Sequence, residues 1–482
     1  MNQVSEVELK LELAPEHMPQ LRESPLLLGE MAASDRLVSH YYDTVDRALR
    51  AAGYVLRVRQ SRDGTVQTVK QDTAAAAGLF VRPEWERPIT GDRPVIARGD
   101  GMVGDLVEPD DLKRVFATNV MRDIRHLTVG DSQIEVALDE GVIRAGRARR
   151  ALCEVELELK GGSPAPVFAF ARELNALVPL RLGVRSKGER GYALADREEP
   201  KAVKAEPIIL DRALSACEGF AVIANACIRH FRRNEPRVLQ QGDAESLHQA
   251  RVAVRRLRSA FFSFKPLMEG DARAKVLSKD LRWLAGQLGE VRDLDVLIPK
   301  IAGADRVRLV QARRRALGEA RVALDSLRAR QLMIDLAEWL TIGAWRSDPA
   351  NPGLARESIV ILAADLLDRH RRRLKRRGDH LAKLTDRDRH KARIEAKKLR
   401  YASEFFECLW SSKAARARHA NFLDALEKLQ DNLGALNDQA VAAALLERHN
   451  IPAQDDRQDR RKLLKKAEKN YDALMGIRPF WR

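Results

Sequence analysis

Charged and apolar residues alternate along the segment Glu6–Leu13, which reads EVELKLEL. Successive side chains of a β-strand point to opposite faces, so this segment predicts a strand with one apolar face and one face carrying two acids and a base. The same spacing recurs in Tyr54–Gln60, Thr65–Gln71, Val81–Arg87, Ser132–Gly141 and Cys153–Lys160. Repeated short strands with turn residues between them predict an antiparallel barrel or sandwich. Two helices, His17–Ala33 and Pro166–Leu177, are predicted to interrupt the strands.

The pattern changes after the charged, proline-containing segment 196–209, which we interpret as a linker. From residue 210 onward apolar residues recur at three- and four-residue spacing, which predicts a helical domain over residues 210–482. Within it His248–Phe264 matches His390–Phe406 at an offset of 142 residues, and Leu288–Asp295 resembles Leu433–Ala440. This repeat predicts two pseudo-symmetric helical bundles, at about 210–346 and 353–482, joined near Ser347–Gly353. The fold class is therefore α+β multidomain, with a strand-rich domain over residues 1–195.

The net charge of +16 is confined to the second part of the chain. Residues 1–200 contain 28 Lys and Arg against 32 Asp and Glu, whereas the remainder contains 57 against 37. A basic half predicts a polyanionic partner. Aromatic residues make up only 5% of the chain, which argues against nucleic acid bound by base stacking.

The bulk sequence also limits the location of the protein. No segment reaches the roughly 18 apolar residues of a membrane span, and the N-terminus lacks the pattern of a secretory signal. The four cysteines have no metal-ligand spacing and are typical of reduced thiols, so a cytoplasmic protein is expected.

The charged strand faces of the first domain concentrate acids in pairs and bases in pairs. If these faces point into a barrel, the buried carboxylates require a hard divalent cation such as Mg²⁺ or Mn²⁺. The Arg and Lys side chains, in turn, suit phosphate groups. A metal-bound polyphosphate satisfies both requirements, which is the arrangement that phosphoryl transfer needs.

Several motifs in residues 1–195 together resemble the CYTH family, also called the triphosphate tunnel metalloenzymes. They are Glu6-x-Glu8-x-Lys10, Tyr41–Thr44 (YYDT), Leu56–Arg59 (LRVR), Thr68–Lys70 (TVK), Arg82-x-Glu84-x-Glu86, the Glu154/Glu156/Glu158 strand and Ser186–Tyr192 (SKGERGY). The resemblance implies an eight-stranded antiparallel β-barrel that forms a tunnel. Family members hydrolyse inorganic triphosphate or thiamine triphosphate, and some are adenylate cyclases.

The resemblance also implies roles for individual residues. Expected metal ligands are Glu6, Glu8, Glu154 and Glu156, with Glu158 and Asp139 as further candidates. Expected triphosphate-binding residues are Lys10, Arg57, Arg59, Lys70, Arg82 and Lys187, together with Arg122 or Arg125, between which the sequence does not choose. Lys10, Glu84 and Glu86 are expected to act in catalysis, the two glutamates by positioning water or orienting the cations.

Basic residues form one stripe on each helix of the internal repeat. The first stripe contains His248, Arg251, Arg255 and Arg258, flanked by Arg256, and the second contains His390, Arg393, Lys397 and Arg400, flanked by Lys398. Like charges at this spacing destabilise an isolated helix, which favours a phosphate-binding role over a merely solvated face. These repeats resemble the CHAD family, in which two helical bundles form a basic groove for inorganic polyphosphate. Lys397 and Lys398 replace two arginines of the first copy, and lysine cannot form the bidentate hydrogen bonds to phosphate that arginine forms.

Together the two resemblances imply a cytoplasmic inorganic triphosphatase that uses Mg²⁺ or Mn²⁺ and forms pyrophosphate and phosphate. The helical domain would bind polyphosphate, including polyphosphate granules. Two alternatives stay open at this point: a non-catalytic polyphosphate-binding scaffold on granules, and thiamine triphosphatase or adenylate cyclase activity in the first domain. No aromatic platform for a base or thiazole is evident in the first domain, where Trp85 is the single tryptophan.

Overall fold

The computed structural model describes residues 2–27, 30–71, 78–96, 101–347, 351–452 and 457–482. They divide into two compact units: residues 1–201 with 325–342, and residues 202–324 with 343–482. The segment Asp325–Ile342 thus packs with the first unit, although the predicted domains place residues 210–482 in the second. Residues 348–350 of the predicted junction lie outside the described residues.

The strands of the first unit form one antiparallel sheet. They are β1 Asn2–Glu12, β2 Glu30–Asp43, β3 Tyr54–Ser61, β4 Gly64–Gln71, β5 Leu79–Pro88, β6 Lys113–Val129, β7 Ser132–Ala145, β8 Ala148–Gly161 and β9 Arg181–Leu182. The helices of this unit are α1 Met18–Arg22, α2 Ala48–Ala51, α3 Gly101–Gly104, α4 Ala165–Leu177 and α5 Lys187–Ala195.

The order of the strands is β5-β4-β3-β2-β6-β7-β8-β1-β9, and β5 pairs with β1 as well. Strand β1 therefore has β5, β8 and the short β9 as neighbours. The antiparallel sheet is confirmed, whereas closure of this sheet into the predicted eight-stranded barrel stays a prediction. The sheet contains nine strands among the described residues rather than the predicted eight, because Arg181–Leu182 adds two residues beside β1.

One predicted helix of the first unit is wrong. Instead of a single helix over His17–Ala33, helix α1 ends at Arg22 and strand β2 begins at Glu30. The two prolines at Pro19 and Pro25 explain the short helix, because proline is tolerated in a first turn but not within a helix. The predicted helix Pro166–Leu177 is confirmed as α4.

The apolar faces of the strands are buried on the side away from their charged residues. Leu9, Leu11, Val155 and Leu157 are fully buried, and α4 packs against β6, β7 and β8. On the opposite, charged face of β1, Lys10 is only 6% exposed, so this face is not the solvated side of a half-buried sheet.

The second unit consists of helices. They are α6 Ala216–Gln241, α7 Ala244–Ser263, α8 Ala272–Gln287, α9 Gly289–Leu297, α10 Gly303–Asp325, α12 Ala344–Ser347, α13 Pro352–Arg356, α14 Ile359–Gly378, α15 Asp386–Phe405, α16 Lys413–Arg448 and α17 Arg457–Gly476. None of the helices in the described ranges is long and apolar enough to cross a bilayer.

The internal repeat corresponds to two equivalent helix pairs. Helix α6 packs against α7, α14 packs against α15, and α7 contacts α15. The residues that precede α6 and α14, Ser215 and Ser358, form an antiparallel bridge. In that bridge Ala216 N donates to Glu357 O at 2.8 Å, and Ile359 N donates to Leu214 O at 3.0 Å. This reciprocal pairing is the contact expected of two similar bundles related by an approximate two-fold axis.

Helix α11 (Leu327–Ile342) is the part of the helical sequence that packs with the first unit. It contacts α4 and β9, and Arg172 of α4 donates to Glu338 at 2.7 Å and to Asp335 at 3.1 Å. Its apolar residues, including Leu336 and Trp339, are buried. The fold of the first unit thus includes a helix that lies more than a hundred residues further along the chain.

We expect Leu336→Ala to destabilise the first unit by about 3 kcal/mol, because it leaves a cavity at a fully buried position. Hydrogen exchange, resolved along the chain, should become faster in α4 and β8. The matched change Leu327→Ala lies on the same helix at an exposed site and should alter exchange little. Faster exchange confined to the helices of the second unit would contradict this assignment of α11.

Candidate functional site

A charged cavity lies within the sheet of the first unit. Its charged lining residues are Glu8, Lys10, Arg57, Arg59, Lys70, Glu84, Glu86, Arg122, Glu135, Asp139, Glu156, Glu158 and Lys187. They come from strands β1, β3, β4, β5, β6, β7 and β8 and from the start of α5. The alternation of each strand places these side chains on one face, and the pairing of strands brings them together.

The strand register sets which charges are neighbours. Lys10 is directly opposite Glu156, and Arg122 is directly opposite Asp139. Elsewhere in the lining of the same cavity, Lys70 is opposite Glu84. Opposite charges at these positions stabilise the sheet, whereas the like-charged pairs Glu8 with Glu158 and Asp139 with Glu154 destabilise it unless cations neutralise them.

Three carboxylates and three cations form a buried centre, and all of them except Glu154 line the cavity. Lys187 Nζ lies 2.6 Å from Asp139, 2.5 Å from Glu154 and 2.7 Å from Glu156. Lys10 contacts Glu154 at 3.2 Å and pairs closely with Glu156. Arg122 makes two hydrogen bonds to Asp139, at 2.7 and 2.6 Å, and one to Glu156 at 2.5 Å.

This centre is buried and strongly charged. Lys10, Glu154 and Glu156 are 6%, 0% and 9% exposed, so none of them is a solvated surface charge. Burial alone would lower the pKa of Lys10, but the nearby carboxylates raise it well above its ordinary value. Burial likewise opposes ionisation of Glu154, yet Arg190 and the two lysines hold its pKa at about 2. All these groups are therefore ionised at neutral pH.

Glu8 differs from the other carboxylates. Burial and the neighbouring Glu156 raise its pKa. Its Oε1 atom accepts no hydrogen bond within the described part of the chain, although Lys10 Nζ lies 3.2 Å away. A buried carboxylate oxygen without a hydrogen bond lacks the partner that such groups normally have.

The donor set fits a hard divalent cation. Asp139, Glu154 and Glu156 each place a carboxylate oxygen within 4.8 Å of the others, and the unbonded Glu8 oxygen borders the same cavity. Carboxylate oxygens are the ligands that Mg²⁺ and Mn²⁺ prefer. A bound ion would have to share these oxygens with Lys10, Lys187 and Arg122, which contact them in the structure.

A second group of cations lines the opposite side of the cavity. Arg57 donates to Thr68 at 3.1 Å and lies 3.5 Å from Glu84, while Arg59 lies 3.4 Å from Glu86. Lys70 pairs closely with Glu84. The neighbouring Arg57, together with burial, lowers the pKa of Arg59 to about 10. Such crowding of cations shows that this side of the cavity has more positive charge than its carboxylates neutralise.

The structure places the remaining sequence-predicted residues of this site as follows. Arg122 lines the cavity, whereas Arg125 donates to the carbonyl oxygen of Leu27 at 2.9 Å and does not line it. Glu158 lines the cavity and pairs with Lys160 at 2.6 Å. Glu6 and Arg82 are register partners on β1 and β5, but their side chains lie outside the described residues.

Arg190 and Glu12 are functional candidates that the sequence reading missed. Arg190 pairs with the buried Glu154 and lies 3.7 Å from Glu12. It follows Lys187 by three residues on α5, so both side chains project from the same face of that helix. Glu12 continues the alternation of Glu8 and Lys10. Both signals were present in the sequence.

Helix α5 closely approaches the end of the cavity. Ser186 and Glu189 form a capping box that fixes its first turn, which carries Lys187. A Cβ atom at Gly191 would lie 2.0 Å from the ring of Phe116. Glycine at this position therefore allows the close approach that brings Lys187 and Arg190 to the carboxylates.

A helical groove in the second unit contains part of the predicted basic stripes. Arg255, Arg258, Lys397 and Lys398 line it, together with Lys265, Lys275, Lys279 and Arg282. Lys275, Lys279 and Arg282 follow one another at i, i+4 and i+7 on α8. That spacing is a basic stripe too, and the sequence reading missed it because it has no copy in the second repeat.

Each helix that carries a basic stripe contacts the second repeated motif of its own bundle, which is Leu288–Asp295 in the first and Leu433–Ala440 in the second. Arg251 donates to the carbonyl of Gly289 at 2.7 Å and lies 3.2 Å from Asp293. His390 Nδ1 and Asn437 Oδ1 lie 2.9 Å apart. Each repeat thus brings its stripe and its second motif together.

Some predicted phosphate ligands are engaged by protein groups. Arg256 pairs with Glu404 and stacks on Phe405, with 5.0 Å from its guanidinium carbon to the ring centroid. Arg400 lies 2.9 Å from Glu404 and 3.4 Å from Glu427. Lys398 lies 3.2 Å from Glu395 and 3.3 Å above the Phe262 ring. These three cations stabilise the bundle before any ligand binds.

Other stripe residues lack such partners. Arg255, Arg393 and Lys397 make no ion pair with a carboxylate in the ranges that the structure describes, and the Nε atoms of both arginines are buried without a hydrogen bond. Burial and the nearby Arg255, Arg393 and Arg251 lower the pKa of Lys397 to about 6. Burial and Arg292 lower the pKa of His248 to about 4. Arg255 and Lys397 line the groove, so an anion bound there would reduce the repulsion between these two side chains.

Two family models match the chain in sequence order. Residues 5–192 match the CYTH domain, and residues 222–447 match the CHAD domain. The chain consists of a CYTH domain followed by a CHAD domain. The charged cavity belongs to the CYTH domain and the helical groove to the CHAD domain.

Individual proteins resemble parts of this chain. An inorganic triphosphatase of Haemophilus influenzae is 30% identical over 207 residues, covering 40% of this chain and 56% of that protein. The match thus spans little more than half of the relative. The crystal structure of a CHAD domain from Ricinus communis is 30% identical, with a TM-score of 0.46, and covers 58% of this chain and 93% of that one. A Hippeastrum protein described as a candidate adenylyl cyclase with a dominant triphosphatase activity is 19% identical, with a TM-score of 0.30, over 38% of this chain and 92% of that one.

Arg190→Met should lower the free energy of unfolding by about 3 kcal/mol at pH 7, because it removes one partner of a buried ion pair. The pKa of Glu154 is depressed to about 2, so its contribution to stability is present above its ordinary value of 4.5 and is lost as the pH falls through 2. The difference in the free energy of unfolding between wild type and variant should therefore become smaller as the pH falls from 4.5 toward 2. Urea unfolding at pH 7 and pH 3, with Arg190→Lys as the control that keeps the charge, measures this. An equal difference at both pH values would contradict the pairing.

Proposed function

We propose that the CYTH domain hydrolyses inorganic triphosphate to pyrophosphate and phosphate, with Mg²⁺ or Mn²⁺. The supporting observation is the buried centre in which Lys10, Arg122 and Lys187 contact Asp139, Glu154 and Glu156. Cations and carboxylates alternate there at hydrogen-bond distance. A triphosphate with a divalent ion presents the complementary charges to both sets.

The chain's own residues would bind and orient the phosphates. Arg57, Arg59 and Lys70 on one side and Lys10, Arg122 and Lys187 on the other would neutralise the phosphate oxygens as charge develops on them. Glu8, Asp139, Glu154 and Glu156, with Glu6 and Glu158 as further candidates, would hold the metal. When bound, that ion would polarise the phosphates and lower the pKa of a water molecule. Glu84 and Glu86 would orient the arginines and the attacking water.

Inorganic triphosphate fits this cavity better than a nucleotide or thiamine triphosphate. Tyr41 is the single aromatic residue of the cavity lining within the described residues, and its ring stacks on Phe116 with centroids 4.2 Å apart. Trp85 packs in a separate apolar cluster with Leu56 and Val69. A base or thiazole would thus find no open aromatic surface on which to stack.

The second part of the proposal is that the CHAD domain binds inorganic polyphosphate in its helical groove. Arg255 and Lys397 line the groove without carboxylate partners in the described residues, and Arg258 with the α8 cations extends the row of positive charge. Arg393 also lacks a carboxylate partner in the described residues but does not line the groove. Such a groove would concentrate substrate or hold the protein on polyphosphate granules in the cytoplasm. Salt should weaken this binding strongly, since phosphate binding releases counterions.

Glu8→Gln should reduce triphosphate hydrolysis by about 100-fold or more while leaving the fold intact. The change removes a carboxylate charge that the proposed divalent metal ion needs. Phosphate release from triphosphate, pyrophosphate, thiamine triphosphate and ATP, with Mg²⁺, Mn²⁺ or EDTA, measures activity and substrate choice. Glu23→Gln, at an exposed position, is the matched control and should retain full activity. Equal rates in the two variants, or hydrolysis in EDTA, would contradict the proposed metal site. No hydrolysis by wild type would favour the non-catalytic scaffold instead.

Polyphosphate should bind the groove more tightly as the pH falls from 9 to 6.5. The pKa of Lys397 is about 6 in the free protein, and a bound polyanion would raise it, so binding would take up a proton at neutral pH. Long chains are the suitable ligand because their internal phosphates do not titrate in this range. Lys397→Arg should remove most of the pH dependence, since arginine stays charged throughout. An unchanged pH profile in that variant would show that another group titrates.

A further inference from the structure

The hairpin between β7 and β8 carries four arginines: Arg144, Arg147, Arg149 and Arg150. All four are exposed, and none forms an ion pair with a carboxylate in the described part of the chain. The turn is tight, with Ala145 opposite Ala148 and Gly146 in the left-handed region at φ 56°. Arg144 lies directly opposite Arg149 in the register. Like charges in opposite positions destabilise a sheet, so this arrangement has a cost that an anion would offset.

More cations surround the same hairpin. A surface depression beside it is lined by Arg47, Lys113, Arg114, Arg147 and Arg197. Arg47 is held by Asp196 at 2.8 Å, and Arg114 lies 3.4 Å from Asp92. Arg147 and Arg197 have no carboxylate partner in the described ranges. Arg144 and Arg149 alternate with Ala145 and Ala148, which line the depression, so these two arginines lie on the opposite face of the hairpin. We call the whole set, which covers both faces of the hairpin, the hairpin patch: Arg47, Lys113, Arg114, Arg144, Arg147, Arg149, Arg150 and Arg197.

An apolar layer separates the hairpin patch from the charged cavity. Val115, Ala145 and Leu194 line the depression and pack against a buried cluster that includes Phe116 and Tyr192. Other members of that cluster, Tyr41, Val55 and Val120, line the charged cavity on its far side. A phosphate in the hairpin patch would therefore be distinct from the substrate of the cavity.

The chemistry of the hairpin patch favours a linear chain of phosphates. Arginine forms paired hydrogen bonds with phosphate oxygens, and seven of the eight cations are arginines. No aromatic side chain lines the depression among the described residues, so the patch lacks the stacking surface that single-stranded nucleic acids use. We propose that the hairpin patch is a second docking surface for inorganic polyphosphate, located on the CYTH domain and independent of the helical groove. This inference rests on the proposed function in taking polyphosphate as the polyanion.

The test uses full-length protein and long polyphosphate labelled at one end. A variant of the helical groove, Arg255→Gln with Lys397→Gln, should retain measurable affinity for the labelled polyphosphate. Adding Arg144→Gln, Arg147→Gln and Arg149→Gln should reduce this residual affinity at least tenfold. The salt dependence should also become shallower, by a little under one unit of log–log slope for each phosphate that the variant no longer neutralises. The matched control adds Arg306→Gln, Arg314→Gln and Arg315→Gln, three exposed arginines of α10 with the same change in charge, and should keep the residual affinity.

Three results would overturn the proposal. They are complete loss of binding in the groove variant alone, equal residual affinity in the hairpin and control variants, and displacement of the residual polyphosphate by single-stranded RNA at lower concentration than by unlabelled polyphosphate. Triphosphate hydrolysis by the same variants distinguishes failure of the hairpin-patch proposal from failure of the proposed triphosphatase activity. The hairpin variant should hydrolyse triphosphate within about twofold of wild type, because the apolar layer isolates the cavity.

Discussion

The buried contacts of Lys10 and Lys187 with Glu154 and Glu156 are the interaction on which the first unit depends. Taking these four charges out of water costs several kcal/mol for each ion, and their mutual attraction offsets this only with close geometry. Strand pairing supplies part of that geometry by placing Lys10 opposite Glu156, and helix α5 brings Lys187 to the same carboxylates. In the proposed function, the same groups would exchange these partners for a metal and phosphates. The network of the free protein would then also be the one that recognises the ligand.

In the CHAD domain, only some of the basic side chains are paired with carboxylates. Its stripe cations are partly neutralised within the bundle, as Arg256 is by Glu404, while Arg255, Arg393 and Lys397 remain close to one another without carboxylate partners in the described residues. Burial, together with this repulsion, lowers the pKa of Lys397. The CYTH cavity thus contains cations and carboxylates in contact, whereas Arg255 and Lys397 in the CHAD groove have no carboxylate partner in the described residues.

Sequence reading succeeded where a local pattern has one physical meaning. Alternation predicted β1, β3, β4, β7 and β8, and the repeat identified helices α7 and α15. It failed for His17–Ala33, where apolar residues at mixed spacing hid the end of α1 and the start of β2. It could not choose between Arg122 and Arg125, since both lie on β6 and only the fold decides which one reaches Asp139. Arg190 was missed because its partner, Glu154, is 36 residues away.

The sequence by itself determined the order of the two domains, the charged faces of the strands and the basic stripes of the helices, because period and charge are local properties. Only the tertiary structure decided that Lys10, Lys187 and Arg122 lie among the carboxylates rather than in a separate cluster. Only the structure likewise showed that α11 completes the first unit and that α8 joins the helical groove. These features depend on contacts between distant segments, and packing rather than local pattern selects which segments meet.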